Sequence, residues 1–121
     1  MSRKMCYSSA MDAAFPLAKI AHALSDPLRV QILDLLAAGR NDPCYSPDIP
    51  ELPTAMCALD LQHRLGDIGP SKLSYHMREL RDAGLVREHK QGKWVYYLLD
   101  RALLVQFLEQ ISQRFLWELF E

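Results

Sequence analysis

Apolar residues recur every three or four positions over most of the chain, which predicts a mainly helical protein. The first two helices are expected at 12–24 and 27–38, because the second follows a cap and a proline, Ser25-Asp26-Pro27. Two more are expected at 54–66 and 70–82, on either side of a three-residue turn. The last one runs from Asp100 to the end of the chain and is strongly apolar.

The pattern changes between the last two helices, where Leu85 to His89 alternates weakly and Trp94 to Leu99 is aromatic and β-branched. The basic turn Lys90-Gln91-Gly92-Lys93 joins the two segments, which predicts a hairpin over 85–99. Residues 60–82 read as a helix-turn-helix, and a hairpin directly after it makes a winged helix. The predicted fold class is therefore mainly α with a small β-hairpin wing, a winged helix-turn-helix of the α+β type.

One domain spanning 1–121 suits a chain of this length. Its first segment, 1–11, is expected to be a flexible arm, and 40–53 is expected to be a loop because it holds four prolines. The helix over 100–121 carries more apolar residues than the end of one small domain can cover. We therefore expect it to pack against a partner.

The chain carries 14 Lys and Arg against 15 Asp and Glu, so any binding of nucleic acid must depend on local charge. Between Asp60 and Arg101 basic residues exceed acidic ones by only two, eight against six. No apolar run of 18 residues and no signal peptide is present, so we expect a cytoplasmic protein with no membrane partner. The chain also lacks the usual catalytic motifs, so an enzyme is not expected.

The helix over 70–82 has two unlike sides. Leu73, Met77 and Leu80 form an apolar stripe, and the residues off that stripe can donate hydrogen bonds. Such a helix could lie in the major groove of DNA, although an ordinary solvated face would look the same. His76 borders the stripe and is expected to pack or to face phosphate, not to bind metal. The candidate DNA-binding residues are Ser71, Lys72, Ser74, Tyr75 and Arg78 on the helix and Lys90, Gln91 and Lys93 at the wing tip.

The chain resembles the ArsR/SmtB family of small winged-helix repressors, which sense metals and metalloids, over roughly residues 12 to 118. The resemblance rests on Ala23-Leu24-Ser25-Asp26-Pro27-Leu28-Arg29, Asp60-Leu61, Leu73-Ser74-Tyr75-His76-Met77 and Ala83-Gly84-Leu85-Val86. It implies a homodimer paired through the first and last helices on palindromic double-stranded operator DNA, with half-sites roughly 34 Å apart. The implied dimer-interface residues are Leu17, Ile20, Leu104, Phe107, Leu108, Ile111 and Phe115.

The three cysteines, Cys6, Cys44 and Cys57, are the candidate metal ligands. Thiolate-sensing members of the family carry a Cys-x-Cys-Asp-Leu pattern, and here Cys57 matches its first cysteine but Leu59 replaces the second. Cys44 and Cys6 could complete the set. Three thiolates suit trivalent arsenic or antimony, whereas zinc or cadmium would want a fourth ligand. The resulting hypothesis is a repressor that releases its operator on binding arsenite or antimonite, with no organic cofactor.

Several alternatives to this hypothesis stay open. Cys57 could be a small buried hydrophobe, whereas Cys44 lies in a polar loop that offers little core to pack in. Cadmium, lead or zinc could be the signal, or Cys44 and Cys57 could oxidise to a disulfide. A winged helix could also serve as a protein adapter without DNA. The family's other metal site needs histidine on the last helix, and because none is present there a zinc or nickel site of that type is not expected.

Overall fold

The computed structural model describes residues 14–40 and 44–120, so the predictions for Cys6 and for the arm 1–11 lie outside the described residues. No helix within these ranges is long and apolar enough to cross a membrane. In chain order the elements are α1 (Leu17–Ala23), α2 (Pro27–Ala38), β1 (Met56–Cys57), α3 (Ala58–Leu65), α4 (Pro70–Asp82), β2 (Val86–Gln91), β3 (Trp94–Leu99), α5 (Arg101–Phe115) and a final 3-10 helix (Trp117–Phe120).

Local sequence sets where the central helices begin and end. The Asp26 side chain accepts a hydrogen bond from the Leu28 N–H at 2.8 Å, which caps α2 ahead of Pro27 in its first turn. Pro70 likewise occupies the first turn of α4. Gly84 follows α4 with a φ of 84°, a left-handed conformation that turns the chain from this helix into the wing.

The three strands form one antiparallel sheet in the order β1-β3-β2. Val86 pairs with Leu99 and Gln91 with Trp94, which confirms the predicted hairpin wing. The strand β1 was not expected, because 54–66 reads as one helix. Met56 and Cys57 are instead extended and pair with Tyr97 and Tyr96, so the helical prediction is wrong before Ala58.

The main core lies where α1, α2 and α4 meet the sheet. Its buried side chains include Ile32 and Leu36 of α2, Leu61 of α3, and Leu73 and Leu80 of α4. The apolar stripe predicted on the 70–82 helix is thus the side that α4 buries, which leaves its other side to solvent. Burying each such side chain stabilises the fold by about 1.5 to 3 kcal/mol.

The proline-rich loop is anchored on the sheet. Ile49 and Ala55 form a second buried cluster with Tyr96 of β3. The Tyr96 hydroxyl donates a hydrogen bond to the Pro47 carbonyl oxygen at 2.7 Å, which satisfies the polar end of this buried ring. The described part of the loop is irregular, as predicted, but its position is defined by side-chain packing.

The last helix has no buried residue within one protomer. Val105, Leu108 and Phe115 are 55%, 66% and 66% exposed, which is unusual for three large apolar side chains on one helix. The prediction that Ile20 lies at a dimer interface is wrong, because Ile20 is fully buried in the core of its own protomer. A side chain with no exposed surface cannot contact a partner.

Candidate nucleic-acid interface and thiol site

The exposed side of α4 carries all five helix residues predicted to face DNA. Ser71, Lys72, Ser74, Tyr75 and Arg78 are exposed, whereas Leu73 and Met77 between them are buried. Lys90, Gln91 and Lys93 are exposed at the tip of the wing. These eight residues therefore offer hydrogen-bond donors and positive charge to solvent from the second helix of the helix-turn-helix and from the hairpin beside it.

Within 14–40 and 44–120, most of the positive charge on this surface is not neutralised by an ion pair. Among the described residues no ion pair involves Lys72, Arg78, Lys90 or Lys93, and the Lys93 ammonium lies 5.4 Å from the centre of the Trp94 ring. Arg81 differs, because its guanidinium contacts the Glu88 carboxylate at 3.1 Å and so joins the end of α4 to β2. The unpaired cations are the ones available to phosphate.

His76 lies on the buried side of α4 and is 5% exposed. Its Nδ1 lies 3.1 Å from Nη1 of Arg29, which is itself buried on α2. The prediction that His76 packs is confirmed, and the alternative that it faces phosphate is wrong because the ring is covered. Burial lowers the pKa of His76, and the Arg29 guanidinium lowers it further.

Arg29 is a residue that sequence reasoning did not single out. Its Nε donates to the Ala23 carbonyl oxygen at 2.8 Å and its Nη2 to the His22 carbonyl oxygen at 3.4 Å. These carbonyls belong to the last turn of α1, and the His22 carbonyl also accepts hydrogen bonds from the Ser25 N–H and hydroxyl. The signal for Arg29 in the sequence was its place at the end of the segment 23–29, which carries the family resemblance but gave Arg29 no role.

Asp60 holds the proline-rich loop against the first helix of the helix-turn-helix. Its buried carboxylate accepts hydrogen bonds from the Tyr45 N–H at 2.5 Å, the Ser46 hydroxyl at 2.5 Å and the Cys57 N–H at 3.0 Å. Burial opposes ionisation, but these hydrogen bonds outweigh it and hold the pKa of Asp60 below its ordinary value. One carboxylate therefore binds the residue after Cys44 and also Cys57 itself.

Arg40 supplies the positive charge for this buried carboxylate. Its Nη1 lies 3.7 Å from Asp60 Oδ2 and donates to the Ala55 carbonyl oxygen at 2.8 Å. The same guanidinium also donates to the backbone oxygen of Ser46 and lies 3.4 Å from the exposed Asp48 carboxylate. The two ends of the loop are thus joined through one arginine and one aspartate, which the sequence pattern did not reveal.

Cys57 occupies the cap position of α3. Its sulfur accepts from the Asp60 N–H, while the Asp60 carboxylate accepts from the Cys57 N–H, which makes a reciprocal capping box. Burial raises the pKa of the Cys57 thiol, and the charge of Asp60 adds to that rise. A capping box with aspartate three residues after the cap is a recognisable signal, but cysteine is an uncommon cap and obscures it.

Cys44 is half-buried and packs against the main core. The prediction that its loop offers little core to pack in is therefore wrong. The guanidinium of Arg64 on α3 donates to the Cys44 sulfur at 3.5 Å. Among the described residues no group of three Cys, His, Asp or Glu side chains could hold a metal, and the third predicted thiol, Cys6, lies outside them.

Comparison with known proteins gives consistent matches at three levels. The family described as "Helix-turn-helix domain" matches residues 24–89. The arsenical resistance operon repressor of Staphylococcus xylosus is 35% identical over 97 residues, 80% of this chain and 74% of the relative. The cadmium resistance transcriptional regulatory protein CadC homolog of Staphylococcus aureus is 30% identical over 94 residues, 78% of this chain and 65% of that protein.

Solved structures match the fold as well. The ArsR-like transcriptional regulator from Rhodococcus sp. RHA1 superposes with a TM-score of 0.62 at 26% identity. The match covers 80% of this chain and 76% of that one. A winged-helix regulator accounts for the order of the helices, the three-stranded sheet and the exposed side of α4 together.

Proposed function

The chain belongs to the ArsR family of winged-helix, DNA-binding transcriptional repressors, and we propose that it releases its operator on binding trivalent arsenic or antimony. The observation that carries the proposal is the position of Asp60. Its carboxylate joins the Cys44 loop and the Cys57 cap to the first turn of the helix-turn-helix. A ligand that pulls on either thiol would therefore act on the element that orients α4.

At the DNA end, we propose a homodimer that presents one α4 to each half-site of a palindromic operator. Arg78 would read guanine and Lys72 would contact phosphate, while the wing-tip residues bind the flanking backbone. The dimer is supported by α5, which has no fully buried residue within one protomer and leaves Leu108 and Phe115 66% exposed. Leu17, Leu104, Phe107, Leu108, Ile111 and Phe115 remain the proposed interface.

At the sensing end, Cys6, Cys44 and Cys57 would hold the metalloid. Arsenite would form one As–S bond to each cysteine, and each thiol proton would leave with an arsenite hydroxyl group as water. On binding, the Cys57 sulfur would give up its hydrogen bond from the Asp60 N–H, which caps α3, and would become a ligand of the metalloid. Burial raises the pKa of the Cys57 thiol, which favours its protonated form when no inducer is present.

A second candidate signal is a soft divalent cation such as cadmium. The relative that is a cadmium resistance regulatory protein favours it, because that protein is similar over most of this chain. Such an ion wants four ligands, and the described residues offer no group of three. Oxidation of Cys44 and Cys57 to a disulfide is the third candidate, because no observation beyond the presence of the two thiols supports it. All of these versions act in the cytoplasm on the same operator.

The DNA-reading half of the proposal predicts a loss of affinity in the Lys72→Ala plus Arg78→Ala variant. We expect operator affinity to fall about tenfold or more, because one guanine contact and one phosphate contact are lost in each half-site. The slope of affinity against salt should also become shallower. The measurement is fluorescence anisotropy on an operator selected from a random-sequence duplex pool by the wild-type protein.

Lys19→Ala is the matched control, because Lys19 is an exposed lysine on α1, away from the proposed reading surface. Its operator affinity and its salt slope should equal those of the wild type. If the double variant bound as tightly as Lys19→Ala, α4 would not be the reading element. A role as a protein adapter without DNA would then be favoured.

A further inference from the structure

The buried contact between Arg29 and His76 joins the recognition helix to the rest of the domain. A guanidinium has only donors, so the 3.1 Å approach of Arg29 Nη1 to His76 Nδ1 requires Nδ1 to accept. An accepting Nδ1 carries no proton. The contact therefore exists only while the imidazole is neutral, in the tautomer protonated at Nε2.

The same guanidinium reaches three helices. It extends from α2, donates to the Ala23 and His22 carbonyls at the end of α1, and donates to His76 on α4. It thereby fixes how α4 sits against the corner formed by α1 and α2. His76 is covered, so it cannot contact DNA. Its neighbour Tyr75 is exposed, and the two rings pack edge to face with their centres 5.1 Å apart.

Protonation of His76 would remove the acceptor and place a second cation against Arg29. Charged groups on the helices around His76 both raise and lower its pKa. Arg29 of α2 and Lys72 of α4 oppose the imidazolium, whereas Asp26 at the start of α2 and Glu79 of α4 favour it; α1 contributes its backbone carbonyls. Burial is the largest influence and disfavours the charged ring, so the pKa of His76 lies below its ordinary value.

We propose that neutral His76 is a positioning residue for operator binding, and that its protonation releases α4 from the corner of α1 and α2 and weakens the complex. The proposal rests on the proposed function, since it takes α4 to be the helix that reads DNA. It adds a second input, the proton, at a place separate from the cysteines. The input acts on the orientation of α4 and leaves its exposed residues unchanged.

The test compares operator affinity between pH 7.5 and pH 5.0 in the wild type and in His76→Asn. Asparagine keeps an acceptor near the Nδ1 position but cannot be protonated. We expect wild-type affinity to fall about tenfold for each pH unit below the His76 pKa, because the competent fraction falls by that factor. The affinity of His76→Asn should stay within about twofold of its value at pH 7.5. His63→Asn, which removes an exposed histidine of α3, should follow the wild-type profile.

A second measurement needs only the wild-type protein. If binding requires neutral His76, operator DNA must lower the His76 pKa, which NMR of the ring nitrogens can follow with and without DNA. Equal pKa values in the two states, or the same pH profile in wild type and His76→Asn, would overturn the proposal. Failure of the wild type to bind any selected operator at pH 7.5 would instead count against the proposed function.

Discussion

Replacing Asp60 with asparagine is expected to lower the free energy of unfolding by about 3 to 5 kcal/mol, which is the usual cost of removing one partner of a buried ion pair. The carboxylate is fully buried, accepts three close hydrogen bonds and lies 3.7 Å from Arg40. An amide would direct hydrogen atoms at one or more of these donors and, within the part of the chain that the structure describes, leave Arg40 with only the exposed Asp48 carboxylate as an ionic partner. Urea unfolding followed by circular dichroism measures the change.

The role of Asp60 can also be measured from the pH dependence of the free energy of unfolding. The pKa of Asp60 is lowered by folding, so its contribution to stability is full above about pH 4 and is lost as the pH falls through the folded-state pKa. The asparagine variant should lack that part of the acid transition. A variant as stable as the wild type at pH 7 would show that Asp60 does not hold the loop.

Asp48→Asn is the matched control, because Asp48 also contacts Arg40 but its side chain is 84% exposed. An exposed ion pair contributes at most about 1 kcal/mol. We therefore expect Asp48→Asn to unfold within about 1 kcal/mol of the wild type, although it removes the same charge from the same arginine. Equal losses of unfolding free energy in the two variants would mean that the removed charge, and not the burial of Asp60, determines the loss of stability.

Replacing Leu108 with aspartate is expected to convert the proposed dimer to monomers. Leu108 is 66% exposed in one protomer and lies on the apolar side of α5 with Phe115. A two-fold interface would place the substitution in it twice and bury two carboxylates without partners. Because a monomer reaches only one half-site, operator affinity should fall by about 100-fold or more. Sedimentation velocity measures the first change and fluorescence anisotropy the second.

Gln113→Asp introduces the same charge on the same helix, about 140° around the axis from Leu108. Gln113 is exposed and is expected to stay so in the dimer. This control should therefore sediment as a dimer and bind operator as the wild type does. Monomers from both variants would mean that added charge on α5, and not the loss of an apolar contact, separates the protomers.

Much of the fold could be predicted from the sequence because its signals are local. The cap and proline before α2, the stripe on α4 and the basic turn of the hairpin each depend on residues a few positions apart. The exposed side of α4 followed directly, because the residues that cannot enter the core of a two-sided helix must face solvent. The helices therefore matched in number and order, although α1 begins only at Leu17 and α5 ends at Phe115. The helical prediction is wrong from Thr54 to Cys57, and at Met56 and Cys57 pairing with β3 overrides a short helical pattern.

The thiol site could be predicted only in part, because its geometry depends on contacts distant in the chain. Asp60 contacts Tyr45 across 15 positions and Arg29 contacts His76 across 47. No periodic pattern encodes such pairs. The same reason explains Ile20 and Cys44, whose burial is decided by elements that pack on them and not by their neighbours in the sequence.

The most direct test of the account titrates arsenite into the complex of reduced protein and operator, with Cys44→Ser measured beside the wild type. Fluorescence anisotropy reports release, and cadmium, zinc and mild peroxide form the parallel arms. We expect wild-type protein to release the operator on arsenite and to stay bound on zinc. Cys44→Ser should bind operator as well as the wild type but should not release it at the same arsenite concentration.

Three outcomes of this titration would contradict the account. If arsenite left the wild-type complex intact while cadmium dissociated it, the signal would be a divalent cation. If mild peroxide alone dissociated it, the signal would be oxidation of the thiols. If Cys44→Ser released DNA at the wild-type arsenite concentration, Cys44 would not be a ligand. The predicted result is release by arsenite that depends on Cys44.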